Sequence, residues 1–176
     1  MKLLLGLLFV VSTTLTTSAQ AGLLLEPFAG TLMSSKFKSG STEKDLSGTM
    51  MGARLGFQNF GFMFGLDVSQ GSLKIKDSTD GFSSSVYSAF VGYDFPILLR
   101  AWVKMNLSGE GKSGATTYTN PSGTFIGIGY KMIPFLSINF ETGTTTYKKW
   151  KSGASTGDHD FGFSMSILSL SFPLSL

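Results

Sequence analysis

The chain has 176 residues, 42% of them hydrophobic and only 14% charged, with 22 glycines and no cysteine. Its 14 Lys plus Arg against 11 Asp plus Glu leave a net charge of +3, too balanced for a nucleic-acid-binding surface. Without cysteine there is neither a disulfide scaffold nor a lipoprotein anchor, so stability must come from the backbone and from packing.

Lys2 precedes the apolar run Leu3-Leu4-Leu5-Gly6-Leu7-Leu8-Phe9-Val10-Val11, then a Ser/Thr-rich stretch ending in Ala19-Gln20-Ala21. A basic start, a short apolar run and a small-x-small cleavage site predict a secretory signal peptide over residues 1–21. The apolar run is too short for the roughly 20 residues of a spanning helix. The mature chain then begins near Gly22 and forms one domain, residues 22–176. Loss of Lys2 with the signal leaves it at +2.

Eight segments follow in which apolar and polar residues alternate, as on a strand with two unlike faces. The first, about Leu23 to Met33, sets Leu25, Pro27, Ala29 and Thr31 against Glu26, Phe28 and Gly30. The second, about Gly48 to Gln58, sets Met51, Ala53, Leu55 and Phe57 against Gly52, Arg54, Gly56 and Gln58. In the third, Gly61 to Ser69, Phe62, Phe64, Leu66 and Val68 oppose Gly65, Asp67 and Ser69. The fourth, about Ser84 to Asp94, opposes Tyr87, Ala89, Val91 and Tyr93 to Ser88, Phe90, Gly92 and Asp94.

The fifth, about Leu98 to Ser108, places Leu99, Ala101, Val103, Met105 and Leu107 outward, with Arg100, Trp102, Lys104 and Asn106 inward. The sixth opposes Thr124, Ile126, Ile128 and Tyr130 to Phe125, Gly127, Gly129 and Lys131. The seventh opposes Leu136, Ile138, Phe140 and Thr142 to Ser137, Asn139, Glu141 and Gly143. The eighth opens with Phe161, Phe163 and Met165 and continues with Leu168, Leu170, Phe172 and Leu174, of opposite parity. Since a one-residue slip exchanges the faces, a bulge near Ile167-Leu168 is expected to restore the apolar one.

The connections alternate. Ser34–Ser47, Gly71–Ser83, Gly109–Ser122 and Lys148–Asp160 read as long loops; Asn59-Phe60, Phe95-Pro96-Ile97 and Met132-Ile133-Pro134 read as tight turns. Four long loops opposite three tight turns is the layout of an outer-membrane barrel, with the turns and both termini periplasmic. Pro96 and Pro134 fall in turns, where a missing N–H costs little. A soluble lipocalin-like carrier barrel in the periplasm shares the alternation but buries the apolar face. Against it, the polar face is mostly Gly, Ser, Asn and Thr, too bland for a water-facing wall. Phe57, Phe62, Tyr87, Tyr93 and Tyr130 also sit toward strand ends, as interfacial girdles do. The expected fold is therefore all-β: an eight-stranded antiparallel transmembrane β-barrel, an up-and-down meander in an outer membrane.

The stretches Leu25-Glu26-Pro27-Phe28-Ala29-Gly30, Gly52-Ala53-Arg54-Leu55-Gly56-Phe57 and Val91-Gly92-Tyr93-Asp94-Phe95-Pro96 resemble the small OmpA-like and OmpX-like outer-membrane barrels. The resemblance covers essentially all of the mature chain. It implies residence in the outer membrane and delivery by the outer-membrane assembly machinery. Two departures stand out. The chain stops after its eighth strand, so the peptidoglycan-binding domain of full-length OmpA is not expected. It also ends Phe172-Pro173-Leu174-Ser175-Leu176, where such barrels end in Phe or Trp, which weakens the assembly signal.

Three groups carry candidate chemistry. Glu26, Arg54, Asp67, Asp94, Arg100, Lys104, Lys131 and Glu141 have inward parity and mixed sign, so ion pairs across the lumen are expected. An eight-stranded barrel has just enough interior for its side chains, which favours a self-satisfied polar plug. The alternative is a narrow gated pore in which Arg54 or Arg100 exchanges carboxylates. Lys36, Lys38 and Lys44, Lys74 and Lys76, and Lys148, Lys149 and Lys151 around Trp150 lie in the loops. They are solvated lysines or contacts for lipopolysaccharide, a host surface or a phage, with Trp150 beside Tyr147 as an interfacial anchor. The single histidine lies in Asp158-His159-Asp160 with no nucleophile fixed beside it. No catalytic residue, cofactor or metal site is expected, and the predicted role is envelope structure or surface-loop interaction.

Overall fold

The computed structural model describes residues 22–39, 42–76 and 81–176; the expected signal peptide lies outside them. The elements are β1 (Gly22–Ser39), β2 (Thr42–Asn59), β3 (Phe62–Ile75), β4 (Gly81–Asp94), β5 (Leu99–Ser113), β6 (Thr116–Ser122), β7 (Thr124–Ile133), β8 (Leu136–Ser152), β9 (Ser155–Ser171) and β10 (Leu174–Ser175). All pairings are antiparallel, and β9 pairs with both β8 and β1, which closes the sheet. β6 and β7 form one stave interrupted at Gly123, and β10 prolongs β9 past Pro173, so the ring has eight staves. Leu23 and Leu176 exchange backbone hydrogen bonds of 3.0 and 2.9 Å across the closure.

The register shows how the ring closes. From Leu23 the cross-strand partners run Phe57, Phe64, Val91, Val103, Ile126, Thr142, Ser166 and back to β1 at Ser34. The path returns eleven residues above its start, and one of these, Met33, is skipped at the bulge between Leu32 and Ser34. A shear of this size obliges the staves to tilt by about 40°. On β5 the outward apolar band runs from Leu99 to Leu107, a climb of roughly 20 Å at about 3.3 Å per tilted residue. Leu55, Phe64, Leu66, Val91, Val103, Ile126, Ile128 and Leu170 are all exposed on this band. A soluble carrier barrel would bury this face, so that alternative is set aside.

Two expectations need correction. The long connections are mostly not loops: β1 runs to Ser39 and β2 begins at Thr42, while only Gly114-Ala115 and Gly153-Ala154 separate the strands of the third and fourth hairpins. The strands thus continue well past the apolar band. The last strand also has no bulge at Ile167-Leu168, because its pairing with β8 is unbroken from Ser171 down to Phe161. Phe163, Met165, Ile167, Ser169 and Ser171 all point inward, while Leu168 and Leu170 point outward. What changes is the meaning of the faces. Within the band, apolar residues face out, and the charged and polar residues face in together with Phe28, Met63, Phe90 and Trp102. Beyond it, where the exterior meets water, Leu32, Phe37, Leu46, Leu73, Phe82, Phe163 and Met165 turn inward and form a core.

Candidate functional site: the barrel interior and the outward lysines

All eight charged residues of inward parity lie inside the barrel, in two groups. Arg54 on β2 sits between three carboxylates. Its Nη1 donates to Glu26 Oε1 at 3.0 Å, its Nε to Asp67 Oδ2 at 3.2 Å and its Nη2 to Glu141. Cross-strand pairing explains two of these contacts, since Arg54 stands directly opposite Glu26 and Asp67. Arg100 forks onto Glu26 with contacts of 2.8 and 2.7 Å. Lys104 Nζ reaches Glu141 Oε2 at 2.7 Å and Asp67 Oδ2 at 3.5 Å. Three cations and three carboxylates therefore meet at mid-height, buried and electrically balanced. Nearer the turns, Lys131 pairs with Asp94, which also accepts from Gln58 Nε2 at 3.0 Å.

Neutral groups complete this cluster, and alternation alone did not single them out. Ser171 Oγ donates to Glu26 at 2.6 Å and accepts from Asn139 Nδ2 at 2.8 Å, while Ser137 donates to Asn139 Oδ1 at 2.9 Å. The Arg54 guanidinium lies 4.4 Å from the ring centroid of Trp102 and 5.1 Å from that of Phe28. Trp102 fits only because its neighbour is Gly127, where any Cβ would run into the indole. Glycine inside this barrel is space for an aromatic ring.

Above the ions, Asn106 accepts from Ser88 Oγ at 3.0 Å and donates to Thr145 at 2.9 Å. A cavity of about 20 Å³, touching Asn106, Lys104 and Phe125, lies beside it, with room for about one water. An aromatic cluster then fills the barrel. Phe82 and Phe163 have ring centroids 4.8 Å apart, Phe37 and Phe161 4.6 Å, and Tyr118 stacks on Phe161 at 4.4 Å. The interior is therefore polar only across the apolar band, which corrects the expectation of a polar lumen throughout. Tyr147 is likewise buried in this cluster, 1% exposed, and does not pair with Trp150 as an interfacial anchor.

Outside, Lys36 and Lys38 alternate with the buried Phe37 and so face outward; Lys74 alternates with Leu73 in the same way. Lys112, Thr117, Lys151 and Thr156 form one cross-strand row over β5, β6, β8 and β9, with Lys149 and Thr119 in the next. Lys112 carries no signal beyond its charge and was not singled out in the sequence. Lys36 is tied to Glu43 at 2.6 Å and Lys112 to Glu110 at 2.8 Å. The hydrogen bond within the first pair holds the Lys36 amine above its ordinary range and the Glu43 carboxyl below it. Lys148 is exposed, Lys44 stands opposite Phe37, and Trp150 is half-buried opposite Tyr118 and against Gly157. The side chain of His159 lies outside the described set.

No protein-family model matches the chain, and no curated protein matches it in sequence. Its fold is similar to that of Neisserial surface protein A, with a TM-score of 0.63 and 13% identity over 87% of this chain and 98% of that one. It is also similar to Ail, the attachment invasion locus protein of Yersinia pestis, crystallised with the heparin analogue sucrose octasulfate. There the TM-score is 0.53 and the identity 13%, over 89% of this chain and 99% of that one. At such identity the likeness is one of fold. A closed eight-stave sheet, apolar outside across a lipid-sized band and filled inside, is a small outer-membrane β-barrel.

Proposed function

We propose that this outer-membrane barrel is a sealed, non-catalytic envelope protein whose outward lysines hold the phosphates and anionic sugars of lipopolysaccharide. The observation that carries the reading is the placement of Lys36, Lys38, Lys74, Lys112, Lys149 and Lys151. They lie on the outer walls of the hairpin extensions, just beyond the apolar band, where anionic headgroups gather. Lysine near an anionic membrane surface contributes about 1 kcal/mol each. The row Lys112-Thr117-Lys151 offers cations with hydroxyl donors between them, which suits phosphate and sulfate alike. The polysulfated sugar in the Ail crystal supports the idea that a barrel of this fold can receive such ligands. Balanced ions and an aromatic cluster stacked in series support a closed lumen, against the narrow gated pore. Delivery by the outer-membrane assembly machinery belongs to the same reading.

The test is lipopolysaccharide retention by purified, folded protein. Lys149→Gln with Lys151→Gln should retain several-fold less than wild type, with unchanged heat-modifiable gel mobility. Wild-type retention should itself weaken as salt rises and screens the exposed amines. Equal retention by wild type and the double variant would remove the lysines from the account. Steady single-channel conductance in planar bilayers would instead favour the pore.

A further inference from the structure

The turn end of the barrel, opposite the hairpins, carries a second surface. Its three connections expose Phe60 at 73%, Ile97 at 67% and Phe135 at 54%, together with Phe95, Leu98, Met132 and Ile133. None of these turns holds an exposed charge. Every charged side chain described is either inside the lumen or on the hairpin extensions, so the turn end presents no charged side chain among the described residues.

The backbone marks these apolar residues a second time. Phe60 has φ of 49° and Gly61 of 84°, and Leu98 has φ of 64°. Left-handed turn positions of this kind favour Gly, Asn and Asp, and a bulky side chain there is strained. Two of the three turns therefore keep a large apolar side chain where the backbone disfavours it and water would not welcome it. The height of the apolar band points the same way. From Leu99 to Leu107 it climbs roughly 20 Å, whereas outer-membrane barrels present a band of about 25 Å. The turn tips supply the missing few ångströms.

We infer that the turn tips are submerged in the inner leaflet, with Phe60, Ile97 and Phe135 packed among phospholipid chains. The inference rests on the outer-membrane reading, and its test separates the two. The chain has no cysteine, so Phe60→Cys, Ile97→Cys and Phe135→Cys each carry one nitroxide label. Leu66→Cys marks mid-band and Lys151→Cys marks water. In phospholipid vesicles, collision with oxygen is compared with collision with a water-soluble nickel chelate. The three turn labels should give an oxygen-to-chelate ratio at least several-fold above that at position 151 and below that at position 66. Ratios at the turns equal to that at 151 would overturn the inference while position 66 still reported a barrel in lipid. A low ratio at 66 as well would overturn the membrane reading itself.

A second measurement does not depend on labelling. Wild type should fold most efficiently in vesicles whose hydrocarbon thickness is about 25 Å. Phe60→Asn, Ile97→Asn and Phe135→Asn combined should move that optimum to thinner lipids. An unmoved optimum would mean that the turns stand in water, free for a protein partner.

Discussion

Arg54 shows what a single residue does here. It touches Glu26, Asp67 and Glu141 at once and rests on the faces of Trp102 and Phe28, while Arg100 and Lys104 share the same three carboxylates. Arg54→Met keeps most of the volume but leaves buried carboxylates short of one charge. Breaking a buried pair costs about 3–5 kcal/mol. The variant should lose that much stability in urea unfolding from vesicles, and a loss below about 1 kcal/mol would mean that the cluster is wetter than its burial implies. On the outside, Leu66 lies in the middle of the apolar band. Leu66→Arg there should cost about 2–4 kcal/mol by the same measurement, and normal insertion would refute the outward assignment.

At the scale of the element, β9 carries the main lesson. Its inward side chains change from Ser171 and Ser169 to Ile167, Met165 and Phe163 as the strand leaves the apolar band. The hairpin end thus behaves as a small water-exposed barrel standing on a lipid-exposed one. Phe82 contacts Tyr118, Tyr147, Phe161 and Phe163 within that upper core. Phe82→Ala should therefore cost about 3–5 kcal/mol. Because the loss falls outside the membrane, the variant should still insert while its hairpins become protease-sensitive; unchanged resistance would argue against a packed core there.

This division also explains what the sequence could and could not reveal. Within the band one constraint acts on every stave, so Phe62 to Val68 or Leu99 to Leu107 can be read directly, and each charged residue of polar parity lies in the lumen. Beyond it the constraint inverts. Phe37 between Lys36 and Lys38 then looks like a loop, and the change of parity after Ile167 looks like a bulge. Partner choice inside the lumen was also hidden. It depends on the shear, which brings Glu141 to Arg54 across 87 positions of sequence.

At the scale of the whole molecule, exposed charged side chains are confined to one end among the described residues. Six outward lysines crown the hairpin walls, and the turn end is apolar throughout its three connections. Such a molecule has a built-in direction. Turning it over would bring lysines into the phospholipid leaflet and bare phenylalanines to the outside. On the readings proposed above, anionic headgroups on one side and hydrocarbon on the other would hold it at its depth.

The ion cluster has a further consequence, for the order of events when the barrel forms. Glu26, Arg54 and Asp67 stand on neighbouring strands, but Arg100, Lys104, Glu141 and Ser171 arrive from much later in the chain. A sheet of three staves entering lipid would carry one negative charge in excess, and although Arg100 and Lys104 bring the sum to zero at five, they reach Glu26 and Asp67 only across the lumen of a closing sheet. Partial insertion is therefore penalised at each intermediate strand count, and the penalty lifts only when the last staves come round to the first. Membrane entry by this chain should be concerted, with the sheet nearly closed before its interior leaves water.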